Sequence, residues 1–204
     1  MQVVLIHGLA RTSLSLIGLA RYLQQSGHTT ELFGYFACAE SFDAIAQRLG
    51  QRFQALGAHG PYAVVAHSLG GILTRFALGS GAVPPPVHVV MLGTPNQPPR
   101  LAPLAWRLMP FQWLTGQCGL NLTCTQFYRA LPPLPTPYTL VAGTQGFTGP
   151  FSPFGDDIND GIVALCEIPI TPHDPVIQVA AWHTFMMNHP QVQDIVGAAL
   201  AAYD

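Results

Sequence analysis

Hydrophobic positions in this chain follow two rhythms that alternate along its first half. Residues 3–6 (Val-Val-Leu-Ile) form an uninterrupted run, as a strand buried on both faces requires. A His-Gly turn follows, and Leu14, Leu16, Ile17, Leu19, Ala20 and Leu23 then recur at helical spacing up to Gly27. Residues 29–35 are a weaker strand candidate. Phe42, Ile45, Ala46, Leu49, Phe53 and Leu56 mark a second amphipathic helix, with Ser41 as its N-cap and Gly57 near its stop. A third strand is predicted over 62–66, a helix over 69–78 and a fourth strand over 87–92, bounded by prolines and Gly93. Later, strands are expected over 138–142 and 176–181, and a closing helix over 190–202 with Pro190 in its first turn. This alternation predicts an α/β chain with a mainly parallel sheet of about six strands, covered on both faces.

The rhythm breaks between residues 94 and 137. Prolines recur there, interleaved with Trp106, Phe111, Trp113, Phe127 and Tyr128. Long excursions inside a compact domain commonly serve as covers or binding walls. The segment at about 95–137 is therefore expected to be an insertion acting as a small cap within a single domain spanning 1–204. A second aromatic and proline-rich stretch, 147–154, is expected to line or cover the same pocket.

Composition narrows the functional classes. The chain has 204 residues, of which 49% are hydrophobic and only 9% charged, against a usual charged share of roughly 25%. Disorder is excluded on that ground. A net charge of −2 with scattered Lys and Arg gives no footprint for nucleic acid. The expected partner is a small apolar molecule, with contact to a membrane surface left open. No basic leader followed by an apolar stretch is visible, and the default address is cytoplasmic. Cys38, Cys118, Cys124 and Cys166 form neither C-x-x-C pairs nor a Cys/His cluster, so neither metal nor cofactor is implied. Free thiols are expected, a Cys118–Cys124 bridge being the alternative.

One turn carries candidate chemistry. The apolar run ending at Ala66 leads through His67 to Ser68, then to Leu69-Gly70-Gly71 and a helix. Small residues around a serine at a strand-to-helix turn let the two elements approach and project Oγ outward. Ala66 replaces the first glycine of the usual G-x-S-x-G pattern. A serine nucleophile needs a base, a carboxylate to orient it and donors for an oxyanion. His183, directly after the last predicted strand, is the favoured base, over His7, His67, His173 and His189. The turn should point His67 away from Oγ, His189 suits a helix start, and a surface reading suffices for His28, His59 and His88. Among Asp156, Asp157, Asp160 and Asp174, the favoured acid is Asp160, on a tight Asp-Gly turn with Ile162 and Val163 behind it; Asp157 is next. Backbone N–H groups of Leu69 and Leu9 fit the oxyanion role.

Five segments carry a resemblance: Val3-Val4-Leu5-Ile6-His7-Gly8-Leu9-Ala10-Arg11, Ala66-His67-Ser68-Leu69-Gly70-Gly71, Met91-Leu92-Gly93-Thr94-Pro95-Asn96-Gln97, Asn159-Asp160-Gly161-Ile162-Val163 and His183-Thr184-Phe185-Met186-Met187. Together they resemble small bacterial α/β-hydrolases of the lipase and esterase type. The resemblance spans nearly the whole chain and implies a Ser68, Asp160, His183 triad with the Leu9 and Leu69 amides as oxyanion hole. It also implies tolerance of Ala66. The function expected is a serine carboxylic-ester hydrolase acting on an apolar acyl ester. The alternatives are an acyltransferase or thioesterase with the same triad, and a non-catalytic binder of an apolar ligand.

Overall fold

The first apolar run becomes an interior strand of the sheet because each of its faces meets a separate core. In β1 (Gln2–Ile6), Val4 and Ile6 pack into one cluster while Val3 and Leu5 pack into the other. The same division holds in β3 (Tyr62–His67) and β4 (His88–Leu92), whose side chains are all buried. With both faces apolar, the strands show no polar alternation. The computed structural model describes residues 1–79 and 81–203.

Among the described residues six strands pair in the order β2-β1-β3-β4-β5-β6, all parallel. β2 (Thr29–Phe33) and β6 (Val176–Val179) are the edges, and β5 (Tyr138–Gly143) lies between β4 and β6. Helices α1 (Ile17–Gln25) and α7 (Pro190–Ala201) cover one face. Helices α2 (Phe42–Gly57) and α3 (Leu69–Leu78) cover the other. Ser41 caps α2, its side chain accepting from the Ala44 N–H at 3.2 Å, an interaction worth about 1 kcal/mol. Truncating a fully buried strand residue such as Leu5 to alanine would cost about 2–5 kcal/mol.

Chain order and spatial order part at β1, which has β2 on one side and β3 on the other. A crevice opens at such a switch point, beyond the carboxyl ends of the strands. The turns after β1 and β3 both deliver residues there.

Strand positions follow the sequence pattern closely, with three differences. The segment predicted as one helix from Leu14 starts as a 3-10 turn over Ser13–Leu16 before α1. β2 stops at Phe33, which frees Tyr35 for another role. Residues 94–137 contain three helices, α4 (Leu101–Ala105), α5 (Met109–Asn121) and α6 (Thr125–Ala130). α5 is broken at Gly116, whose φ of 50° and ψ of −140° favour glycine. A Cβ there would also stand 2.7 Å from the Ala37 carbonyl oxygen, so the cap presses against the loop that follows β2. His28 and His88, assigned to the surface from sequence, are buried; His88 bonds Thr139 and Tyr203.

Candidate active site

Ser68 sits between β3 and α3 with φ 53° and ψ −121°, a conformation that costs a non-glycine residue about 1–3 kcal/mol. Gly70 makes the turn feasible. A Cβ at that position would stand 2.7 Å from the Ile6 carbonyl oxygen and 2.9 Å from that of His7. Only a glycine lets α3 lie this close to the end of β1.

Three side chains from three separate turns converge. His183, in the 3-10 turn His183–Asn188 after β6, places Nε2 3.0 Å from Ser68 Oγ. Its Nδ1 lies 2.6 Å from Asp160 Oδ2. A carboxylate accepts, so Nδ1 carries the proton and the Nε2 lone pair faces the serine hydroxyl. The other carboxylate oxygen, Oδ1, accepts from the N–H groups of Ile162 at 3.0 Å and Val163 at 2.7 Å. Asp160 is 1% exposed and His183 4%. The two are joined a second time through the backbone, where the His183 N–H donates to the Asp160 carbonyl at 2.9 Å.

The other acids lie elsewhere. Asp157 is exposed and pairs with Arg100 at 2.5 Å. Asp174 caps the 170–171 turn and accepts from the Tyr138 hydroxyl at 3.0 Å. Asp156 and His173 are exposed, and His189 is the N-cap residue of α7.

Leu9 lines the cleft beside Ser68. Leu69 opens α3, so its N–H has no intrahelical acceptor and points out of the positive end of the helix. The loop bearing Leu9 is held by His7. The Tyr35 N–H donates to His7 Nε2 at 3.2 Å, which leaves Nδ1 as the donor to the Gly8 carbonyl at 2.9 Å. The Tyr35 hydroxyl donates to the His7 carbonyl at 2.9 Å, and the two rings stack 4.0 Å apart. Burial lowers the pKa of His7 and raises that of Tyr35, so both stay neutral. Pattern reasoning offered His7 only as a competing base and missed Tyr35. Their pairing depends on backbone groups that no spacing reveals.

His67 makes no hydrogen bond to Ser68 but bonds the turn that carries His183. Its Nε2 donates to the His183 carbonyl at 3.0 Å, and its ring lies 4.8 Å from that of His183. Burial, reinforced by the neighbouring His183, holds its pKa well below the ordinary value.

The cleft above Ser68 has a volume of about 330 Å³. The cap supplies Leu101, Ala102, Ala105, Phe111 and Leu122, and Ile162 and Val163 close the acid side. Residues 147–154 do not line it, contrary to expectation. They form a neighbouring cleft with Trp182, because Phe147 packs edge-on against that indole at 5.2 Å. All four cysteines are free, and Cys118, on α5 of the cap, is buried. Among the described residues no group of three or more His, Cys, Asp or Glu is arranged to hold a metal ion, and no helix is long and apolar enough to cross a membrane.

The topology and the elbow define the α/β-hydrolase fold. Solved structures with this arrangement include Bacillus licheniformis lipase BlEst2 in its mature form, at 21% identity and a TM-score of 0.68, covering 98% of this chain and 90% of that one. The RedJ thioesterase of the prodiginine pathway in Streptomyces coelicolor is similar at 14% identity and a TM-score of 0.64, covering 99% and 89%. Tomato methylketone synthase I, solved with 2-tridecanone, is similar at 13% identity and a TM-score of 0.66, covering 100% and 98%. No protein-family model and no curated protein matches the chain by sequence. At these identities the likeness shows the fold, on which chemistry varies.

Proposed function

We propose that this protein is a serine carboxylic-ester hydrolase acting on an apolar acyl ester. The observation that carries the reading is the continuous chain from Ser68 Oγ through His183 to Asp160, with spans of 3.0 and 2.6 Å, opening into a cleft walled by aliphatic cap residues. A binding protein has no need of a carboxylate so fully satisfied that its only remaining task is to orient one imidazole.

In this reading Ser68 Oγ attacks the acyl carbon while its proton passes to His183 Nε2. The N–H groups of Leu9 and Leu69 receive the negative charge that develops on the carbonyl oxygen, and His183 returns the proton to the departing alcohol. Water then repeats the sequence on the acyl-enzyme and regenerates Ser68. Asp160 stabilises the imidazolium formed in each half. A thiol leaving group, as in a thioesterase, would follow the same steps.

Turnover of a p-nitrophenyl ester series of rising chain length by wild type and Ser68→Ala tests the proposal. Hydrolysis by wild type, stoichiometric labelling of Ser68 by a fluorophosphonate, and loss of both in the variant are expected. Equal turnover by the two proteins would remove Ser68 from the chemistry.

A further inference from the structure

Arg11 belongs to two clefts. It lines the catalytic cleft with Ser68 and His183, and a second cleft of about 350 Å³ with Thr12, Tyr35, Cys38 and Leu114. Ala10, which also lines both, has a φ of 54°, and this left-handed turn carries the chain from the Leu9 loop to the rim.

Arg11 shares with Arg21, Arg107 and Arg129 the lack of a carboxylate partner among the described residues, but it alone of the eight arginines lines the cleft above Ser68. Arg48, Arg52 and Arg100 each pair with a carboxylate, and buried Arg75 donates to carbonyl oxygens of Leu131, Pro132 and Asn96. The Arg11 guanidinium lies 5.8 Å from the ring centroid of Phe185, and no carboxylate pairs with it among the described residues. No Asp or Glu lines the second cleft either. The positive charge of Arg11 is felt as far in as His67, where it helps to keep the imidazole neutral.

A cation with five donors and no partner is wasted on a hydrocarbon. The cap provides the apolar wall, so an acyl chain is accommodated there. Phe185 stands in the same 3-10 turn as His183, which gives the leaving group its proton. The cation is therefore placed beside the turn that serves the departing alcohol or thiol. The guanidinium fork matches phosphate oxygens, and the Thr12 hydroxyl adds a donor in the second cleft.

We propose that Arg11 selects acyl esters or thioesters whose leaving group carries a phosphate, which the second cleft receives. This rests on the hydrolase reading and adds no chemical step. The acyl carbon–oxygen or carbon–sulfur bond breaks as before, and the phosphate departs unchanged on the leaving group.

The test compares wild type, Arg11→Gln and Arg11→Lys on two matched pairs. Decanoylglycerol phosphate is set against decanoylglycerol, and decanoyl-coenzyme A against the decanoyl thioester of N-acetylcysteamine. Wild type is expected to prefer the phosphate-bearing member of at least one pair by about tenfold or more in kcat/KM, the value of one good charged contact. The pair that shows the preference tells a lipid headgroup from a thioester carrier. Arg11→Gln should bring that ratio towards one, chiefly through KM, while Arg11→Lys keeps part of it and added salt erodes it. A ratio unchanged in Arg11→Gln, or a wild type that cleaves the neutral members with no preference, overturns this proposal alone. A folded wild type that cleaves none of the four overturns the hydrolase reading beneath it.

Discussion

His67 Nε2 donates to the backbone carbonyl of His183, 3.0 Å away, so the residue preceding Ser68 braces the turn that carries His183. Because His67 is fully buried and kept neutral, this contact persists across the working pH range. Replacing it with Phe keeps a ring but loses the donor. His67→Phe should lower kcat about tenfold with little change in KM, equivalent to roughly 1.4 kcal/mol of lost positioning. Wild-type kcat in a folded variant would show that the brace has no part in turnover.

Asp160 and Asp157 are three positions apart on one loop, yet only Asp160 is buried against an imidazole. Asp160→Asn should reduce kcat by about 10³–10⁴-fold, since an amide no longer holds the imidazole in the required tautomer. Asp157→Asn should leave turnover within about twofold, because an exposed pair with Arg100 contributes little. Steady-state kinetics on one ester distinguishes the two residues directly, and the reverse order would move the acid to Asp157.

Gly70 lies where α3 meets the end of β1. An added Cβ would press on the carbonyl oxygens of Ile6 and His7 at 2.7 and 2.9 Å, and backbone cannot rotate aside. Gly70→Ala should destabilise the fold by about 1–3 kcal/mol and slow fluorophosphonate labelling of Ser68. Urea unfolding at neutral pH provides the first readout, and an unchanged midpoint would argue against close approach.

Acid should weaken this fold earlier than it weakens most. Burial lowers the pKa of His67 far below 6.5, and those of His7 and His88 to a smaller degree. Each unfolded imidazole takes up a proton that its folded counterpart refuses. Their stability contribution is thus complete above about pH 6.5 and declines as pH falls below it, by up to about 1.4 kcal/mol per pH unit for each group. Glu167, raised by burial, acts in the opposite sense but is one carboxyl against three imidazoles. Thermal melts should give a lower Tm at about pH 5 than at about pH 7.5, and His88→Gln should narrow the gap. Equal melting temperatures at the two pH values would contradict the assignment.

Thiol chemistry offers an independent check on the cap. Cys38 and Cys166 are exposed, whereas burial pushes the Cys118 thiol up to about 11. Ellman's reagent should modify the exposed pair rapidly and reach Cys118 only after unfolding. Rapid modification of Cys118 in native protein would mean that α5 opens readily at Gly116.

What could be read from the chain were the features whose cause is local. Apolar runs located β1, β3 and β4, and the Ser41 cap and Gly57 bounded α2, because burial on two faces and capping leave their mark within a few residues. Ser68, Asp160 and His183 were picked out because each sits on a turn beside an apolar run. The cap helices escaped because they are not amphipathic in the usual way. In α5, Met109, Trp113 and Leu114 are exposed while Thr115, Cys118 and Gly119 are buried, and Gly116 interrupts the helix. Tyr35 and His7 act through backbone partners that meet only in three dimensions.

The contact between Gly116 and the Ala37 carbonyl bears on any attempt to remodel this protein. Ala37 lies two residues beyond Tyr35, whose amide and hydroxyl secure the His7 loop. A graft that exchanged the cap for one of another shape, to admit bulkier molecules, would loosen the support of Leu9 unless it carried residues 34–38 with it. Pocket width and the position of the Leu9 loop are here inherited together.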